Sequence, residues 1–367
     1  MSPSPPSVTA PADVVAVPKA TAASSFILHA PLELLARVGL LQHLPPECAD
    51  DGLAGIGRLV EQYRASGEAV EDPAPVPIDS IPSAAGSLVD ALRDGDADRV
   101  DALAASLLPR LSPWEAVGLL GPAIVTSLAA AGHAPIGLAL LTRVGSLPTA
   151  LLRGPLRSVA ARPEWQVDWF RTVEGGGDPH RLYDAMRAVP RLGRPGSDFI
   201  HPLMSQVQDS GVAAQVLGPV LPAETAGRQF DVVAATRTLT RTAAWSMIHD
   251  DPDQAPYGWT HALTMPQAVM TLAGAGVEAR TAFAVAATFL VGFRAAHAQV
   301  DLPPHIDPEP RPDVTPAELA LAASRHEDAH LVKFTLACLH AADDDPTHRS
   351  LYLAAAAHLV EWWRRQG

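Results

Sequence analysis

The chain has 367 residues, of which 48% are hydrophobic and 18% charged, and this composition predicts a sizeable folded core rather than a disordered protein. The formal net charge of −13 argues against nucleic acid or an anionic membrane surface as the main partner. Two cysteines, Cys48 and Cys338, are too few for a disulfide framework, so we expect a cytoplasmic protein.

The first 22 residues are rich in proline, serine and alanine. They have no basic start and no continuous apolar stretch, so they do not resemble a signal peptide. We expect residues 1–22 to form a disordered leader. No later segment is an apolar span of about 18 residues free of charges and helix breakers, so no transmembrane helix is predicted.

After the leader, stretches rich in alanine, leucine and arginine alternate with proline and glycine, and their apolar residues follow a helical period. Alternating strand patterns and hairpin turns are scarce. Residues 316–341, among others, are predicted to form one long helix. The proline-rich segment 70–82 is either a domain boundary or a surface loop. We favour the loop, and therefore a single large all-α domain of many helices over residues 23–367.

The tripeptide His-Ala-Pro occurs twice, at His29 and at His133, each time before an apolar segment of helical period. Proline is tolerated in a first helical turn, because the N–H that it lacks has no helical partner there. We therefore expect both histidines at helix starts, aimed into the interior from two different elements. Imidazole is the commonest metal ligand among side chains, although core packing is the more ordinary role.

A third histidine, His261, has a similar setting in the segment YGWTHALTMP, where a proline again follows. Taken singly, such a histidine is more often a hydrogen-bonded core residue than a ligand. Tyr257 and Trp259 lie close to it in sequence. They either line an apolar pocket for a planar polycyclic substrate or pack between helices.

Residues 326–330 formally match the zinc-peptidase pattern HExxH, in which His326 and His330 share a helix face on Zn²⁺ and Glu327 acts as general base. The longer pattern with a third histidine is missing, and no clear glutamate ligand follows. A zinc hydrolase is therefore kept as an alternative. Two other histidines are weaker candidates, His201 as a reserve ligand and His249 as a group that supports a ligand.

Lys333 follows His330 by three residues, so both side chains lie on one face of the predicted helix. That helix is apolar over residues 331–339, which places Lys333 in the interior. A buried lysine is costly as a cation unless it is paired. The ordinary explanation is an ion pair, or an ammonium group that reaches solvent.

Taken in order, these elements resemble the questin oxidase-like proteins. The resemblance rests on the first His-Ala-Pro element, on GHAPIG around His133, on THALTMP around His261, and on EDAHLVKFTLACL around His330 and Lys333. It covers residues 26–363. It implies an oxygenase of aromatic polyketides in secondary metabolism, related to the Baeyer–Villiger cleavage of anthraquinones.

At least one branch of that family resembles a nonhaem iron oxygenase with four histidines and a carboxylated lysine around the metal. The resemblance implies that His29, His133, His261 and His330 are the imidazole ligands and that Lys333 is the carboxylated, catalytic lysine. It implies Fe(II), or another divalent transition metal, as cofactor and O₂ as co-substrate. The chain departs from fungal members in having one histidine in the first motif and no second histidine after His133. These departures leave the substrate and the reaction outcome open.

Three other interpretations remain. A metal-free monooxygenase would use NADPH, although the sequence has no GxGxxG at a strand–helix junction. The zinc hydrolase requires His326 and His330 together on the metal. A helical binding protein without chemistry predicts that the four histidines do not converge. The leading interpretation takes a small aromatic substrate as the partner.

Overall fold

The structure, a computed structural model, describes residues 9–20, 24–196, 200–224, 230–308 and 313–366. Within these ranges every regular element is a helix, and the β-type pairings are two isolated bridges, Lys19 to Ala69 and Ser127 to Gln166. The prediction of an all-α fold is confirmed.

Seventeen α-helices follow one another along the described ranges. The first nine are α1 (Thr9–Val15), α2 (Ser25–Leu40), α3 (Ala49–Ala65), α4 (Ile81–Asp94), α5 (Ala97–Leu107), α6 (Pro113–Ile124), α7 (His133–Val144), α8 (Arg153–Ala160) and α9 (Leu182–Arg187). The other eight are α10 (Ile200–Asp209), α11 (Val212–Leu217), α12 (Val232–His249), α13 (Thr260–Gly274), α14 (Ala279–His297), α15 (Pro316–Arg325), α16 (Ala329–Asp344) and α17 (Arg349–Gln366). A π-helical turn, Ala255–Trp259, leads directly into α13.

Four of these helices, α2, α7, α13 and α16, form the centre of the fold. Helix α2 packs against α7, α7 against α13, α13 against α16, and α16 back against α2, which closes a ring of four. Buried residues occupy most positions of all four helices. Around them, α14 packs on α13, α17 on α16 and α3 on α2. A polar side chain that points into the ring is therefore shielded from solvent.

Helix α2 begins earlier than the sequence predicted. The side chain of Ser24 accepts a hydrogen bond from the backbone N–H of Ile27 at 3.3 Å, and this cap starts the helix one turn before His29. Pro31 consequently lies inside α2, as Pro266 lies inside α13. The expectation of a proline in the first turn is wrong for these two helices. In α2 the Ser24 cap lies upstream of Pro31, and in α13 the helix begins directly after the π-helical turn.

Helix α7 begins at His133, as predicted. The three residues before it, Ala130, Ala131 and Gly132, have φ angles of 46°, 59° and 79°, which is a short left-handed turn. This conformation costs about 1–2 kcal/mol for a residue with a side chain. Such strain persists only where the surrounding structure imposes it, and functional sites are frequent places for it.

The stretch predicted as one helix over residues 316–341 is two helices. Helix α15 ends at Arg325 and α16 begins at Ala329, with a non-helical link between them. The Asp328 carboxylate stabilises this break, since it accepts hydrogen bonds from the backbone N–H groups of His330 and Leu331 at 2.9 and 3.1 Å. The apolar period thus continues across a boundary that a single capping residue sets.

Part of the predicted leader is folded. Residues 9–20 form α1 and a bridge to Ala69, and Ala12 and Val15 are buried in the core. Disorder was the wrong expectation for these residues, because their apolar side chains pack between α2 and α3. Residues 1–8, 21 and 22 lie outside the described residues. Segment 70–80 is a largely exposed loop, as predicted, and α4 begins at Ile81.

Helix α14 is long and apolar enough to cross a membrane, by length and composition. Of its most apolar 18-residue stretch, 83% is buried inside the protein, against α13 and the helices around it. Burial of this kind is what the core helix of a large helical fold shows.

Candidate metal centre

Four histidines from four different helices meet inside the central ring. The ring centroids of His29 and His133 are 4.5 Å apart, and those of His29 and His330 are 4.4 Å apart. The His261 ring lies 5.2 Å from that of His330. Ring nitrogens of His29, His261 and His330 all lie within 4.8 Å of one another, whereas His133 contacts the His29 ring but does not belong to this group of ligand atoms. Helices α2, α7, α13 and α16 each contribute one of these side chains.

Backbone carbonyls of the chain just before them orient the rings of His29 and His261. His29 Nδ1 lies 2.5 Å from the carbonyl oxygen of Ser25, and His261 Nδ1 lies 2.6 Å from that of Tyr257. In both pairs the carbonyl belongs to the residue four positions earlier. An Nδ1–H that donates to a carbonyl leaves Nε2 with a free lone pair, which is the usual arrangement of a metal-bound histidine.

The free nitrogens have no hydrogen-bond partner. Among the described residues, Nε2 of His29 and Nε2 of His261 are buried and unpaired, while the His133 ring lies beside the backbone of Leu28. Such groups are rare in folded proteins because each loses its hydration without compensation. A divalent transition metal would accept these lone pairs, and imidazole suits iron, zinc and copper. The residues present therefore fit a metal ion.

Burial and mutual repulsion hold the imidazoles neutral. Burial is the main cause that takes the pKa values of His29, His133 and His261 well below the usual histidine value, and neighbouring positive charge lowers them further. The pKa of His330 is also lowered by burial, although the Asp328 carboxylate opposes the shift. Neutral imidazole is the form that binds a metal.

Lys333 lies against this cluster, one turn after His330 on α16. Its side chain is buried, and among the described residues its ammonium makes no hydrogen bond and no ion pair. Burial lowers the pKa of Lys333 to about 7, against the attraction of Asp328 and Glu33. Lys333 and Lys19 are the two lysines among the 27 lysine and arginine residues of the chain. One of only two lysines in an arginine-rich chain thus lies beside the histidines.

A cavity of about 840 Å³ opens onto two of the histidines. It reaches His29 and His330, and its wall includes Phe26, Tyr257 and Trp363. A volume of this size accommodates a polycyclic small molecule.

The two aromatic residues near His261 have different roles. The ring of Tyr257 lies edge-on to His330 at 4.9 Å, and 52% of the residue is exposed at the cavity. Trp259 is fully buried and packs against Phe293 at 6.1 Å. The pocket prediction therefore agrees with the position of Tyr257 and is wrong for Trp259, because the helical turn rotates the two side chains to different faces.

The HExxH interpretation is wrong in this fold. His326 lies at the end of α15 and His330 near the start of α16, so the two do not share a helix face. The His326 Nδ1 accepts a hydrogen bond from the Asp328 N–H at 3.0 Å, and its ring faces Trp363 at 5.0 Å. His326 lines the large cavity but lies outside the group of converging nitrogens.

The two weaker candidates lie elsewhere. His201 stacks on Trp165 at 4.1 Å, and His249 packs against Trp245 at 4.4 Å. Neither histidine belongs to the group of converging ligand atoms found in the described part of the chain.

Sequence reasoning missed Glu33, which lines the large cavity one turn after His29. Its Oε1 accepts a hydrogen bond from Arg37 Nε at 2.8 Å and lies 2.7 Å from Arg37 Nη2 in an ion pair, while its buried Oε2 has no partner among the described residues. Arg37 also donates to the carbonyl oxygens of Ser324 and His326, at 2.9 and 2.6 Å. The i,i+4 spacing of opposite charges within an apolar helix was the available signal.

No model of a known protein family matches the chain, and no curated protein matches it either. The function must therefore be inferred from the chemistry of the residues that meet in the central ring.

Proposed function

We propose that the protein is a metal-dependent oxygenase of a small planar aromatic substrate, of the questin oxidase-like type. The observation that carries this proposal is the convergence of four buried histidine rings, three of which bring ring nitrogens within 4.8 Å of one another, together with one buried lysine. His29, His133, His261 and His330 would hold the metal, and Lys333 would add an anionic oxygen ligand. Convergence of the histidines also argues against a helical binding protein without chemistry, for which no such cluster is needed.

The charge of the site gives Lys333 its role. Four neutral imidazoles leave the two positive charges of Fe(II) without compensation. A neutral lysine amine can react with CO₂: the Nζ lone pair forms the N–C bond, one C=O electron pair moves to oxygen, and a proton passes from the nitrogen to solvent water. The product is a carbamate with one negative charge. The lowered pKa of Lys333 makes the neutral amine available near neutral pH.

Bound iron(II) would supply the electrons that activate O₂ for reaction with an organic substrate. The chain's own residues bind and orient that substrate. Tyr257, Phe26 and Trp363 offer ring faces and edges to a planar molecule in the large cavity. Arg37 holds Glu33 in place, so that a carboxylate stands at the cavity wall beside His29.

Elemental analysis tests the metal proposal. Protein purified without chelators and reconstituted with Fe(II) under anaerobic conditions should retain close to one iron per chain. His261→Gln should lose most of it, whereas His180→Gln, at an exposed position on another face, should retain it. No bound transition metal after reconstitution, together with an unchanged melting temperature, would contradict the proposal.

Activity measurements separate the remaining enzymatic alternatives. The iron form should consume O₂ with a polycyclic phenol or quinone, and CO₂-free buffer should lower its rate. Lys333→Ala should be inactive and should regain part of its activity with added acetate or another small acid. Consumption of NADPH coupled to substrate in metal-depleted protein would instead favour the metal-free monooxygenase.

A further inference from the structure

A second, much smaller space approaches the cluster from another side, between α7, α13 and α16. It has a volume of about 20 Å³, and Lys333 forms part of its wall. The large cavity reaches His29 and His330 but is not lined by Lys333. Lys333 therefore borders the smaller space and does not border the proposed substrate cavity. We call the smaller one the seam.

The seam runs along the helices away from the histidines. On α13 its wall contains Thr264, Gln267 and Thr271, which follow His261 at successive turns. At the far end, Arg143 donates hydrogen bonds to Thr271 at 3.3 Å and to Asp344 at 2.9 Å. Thr264, Leu140, Arg143 and Thr271 are each only partly buried. The seam is thus bordered on α7 and α13 by side chains that are partly exposed to solvent.

The width and polarity of the seam restrict what can enter it. A void of about 20 Å³ holds roughly one water-sized molecule, so a ring compound does not fit. Thr264 and Thr271 donate their hydroxyl hydrogens to carbonyls of α13, at 2.9 and 2.8 Å. The Gln267 amide donates to the Ala337 carbonyl at 3.0 Å. Few free hydrogen-bonding groups remain to replace the hydration of an ion, so a small neutral molecule is favoured.

We propose that the seam is the route by which CO₂ reaches Lys333, separate from the cavity that admits the aromatic substrate. This inference rests on the proposed function, in which Lys333 carries a carbamate. CO₂ is linear, neutral and slender. A separate entrance allows the carbamate to form or to be renewed while the large cavity is occupied.

Cyanate is a suitable probe, because its protonated form, isocyanic acid, is linear, triatomic and neutral like CO₂. The amine nitrogen bonds to the carbon of isocyanic acid and the amine proton moves to the acid's nitrogen, so a stable carbamoyl group forms without a leaving group. The full-length chain is treated with a chelator and then with cyanate, and the modification is followed by peptide mass spectrometry. Lys19, the other lysine, provides an internal reference in a different part of the fold, where its ammonium donates to the Gly67 carbonyl.

Leu140 offers a matched pair of variants, since it lies at the wall of the seam and is only partly buried. Leu140→Ala should raise the rate at Lys333, relative to Lys19, several-fold. Leu140→Trp should lower it several-fold. Phe26→Ala widens the large cavity and should leave the ratio unchanged. Thermal melts of each variant verify that the fold is retained.

Three outcomes would overturn the seam: an unchanged ratio in both Leu140 variants, a rise in Phe26→Ala, or unreactive Lys333 in the wild-type chain. Iron content, measured on the same preparations after reconstitution and before the chelator is added, keeps the two proposals apart. If the chain binds iron but shows one of these outcomes, only the seam proposal is contradicted. If the Leu140 variants behave as expected but the chain binds no metal, only the oxygenase proposal is contradicted.

Discussion

Two charged side chains beside the histidine cluster are buried in opposite circumstances. Glu33 shares its carboxylate with Arg37, whereas Lys333 has no ion pair among the described residues. A buried charge without a partner shifts toward its neutral form. For this reason the pKa of Lys333 falls to about 7, and the amine becomes a nucleophile that an exposed lysine is not at the same pH.

The Glu33–Arg37 pair allows a stability prediction. Arg37→Met leaves a buried carboxylate unpaired and frees two carbonyl groups, so we expect it to lower the free energy of unfolding by about 3–5 kcal/mol. The control is Arg64→Met, at an exposed i,i+3 pair with Glu61, which should cost less than about 1 kcal/mol. Urea unfolding curves measure both. Equal losses in the two variants would contradict a special role for the buried pair.

At the scale of elements, the start of α16 decides which side chain faces the histidines. Asp328 caps this helix, and its carboxylate also lies 3.6 Å from His330 Nδ1. The cap ends the apparent HExxH pattern and leaves His330 and Lys333 on one helix face. Because Asp328 lies within the HExxH pattern and caps α16, it separates the two histidines of that pattern.

Two capping variants test this role. Asp328→Ala and Asp231→Ala each remove an aspartate cap, from α16 and from α12, and each should cost about 1 kcal/mol of stability. Only Asp328→Ala should weaken Fe(II) binding, by about 10–100-fold, because only this carboxylate also orients a ligand histidine. Competition with a chromophoric chelator measures the affinity. A similar weakening in both variants would show that general destabilisation is the cause.

At the scale of the whole molecule, the closed ring of α2, α7, α13 and α16 brings together residues 29 and 333, which lie at opposite ends of the chain. Each helix alone carries too few ligands for a metal site, and no pair of neighbours in sequence predicts the cluster. Burial by the surrounding helices then keeps several histidines neutral, which couples the stability of the fold to pH.

His340, on the far part of α16, gives the clearest pH dependence. Burial lowers its pKa to about 3, so below about pH 6.5 the unfolded chain takes up a proton that the folded chain does not. Stability therefore falls as the pH falls from 6.5 toward 3, by up to about 1.4 kcal/mol per pH unit for this one group. His340→Gln should reduce the slope by that amount. Urea unfolding at pH 6, 5 and 4 measures it, and a slope unaffected by His340→Gln would contradict the assignment.

Much of the fold could be predicted from the sequence. Helical periodicity, and the scarcity of strand patterns, indicated the all-α class and most helices, and the start of α7 at His133 followed from its proline. The boundaries set by side-chain caps were harder. Ser24 extends α2 backwards and Asp328 divides residues 316–341, and neither cap interrupts the apolar period on which the prediction relied.

The candidate site was predictable only in part. The order of the four histidine elements, and their resemblance to a family, pointed to His29, His133, His261, His330 and Lys333. Tyr257 borders the cavity and Trp259 is buried because a π-helical turn precedes α13. The position of Arg37 beside Glu33 depends on the Ser324 carbonyl of α15, to which Arg37 donates a hydrogen bond. These contacts join residues far apart in the chain, so local patterns carry little information about them.

The sequence by itself determined the helical class, through periodicity. It also determined the residues available for a site, which are a candidate histidine on each central helix and one of only two lysines in the chain. The tertiary structure alone decided that these side chains meet. It also decided that His326 and His330 lie on different helices, and that Lys333 borders the narrow seam while His29 and His330 border the large cavity. The physical reason is that helix formation is governed by neighbours along the chain, whereas convergence and burial are set by packing between helices.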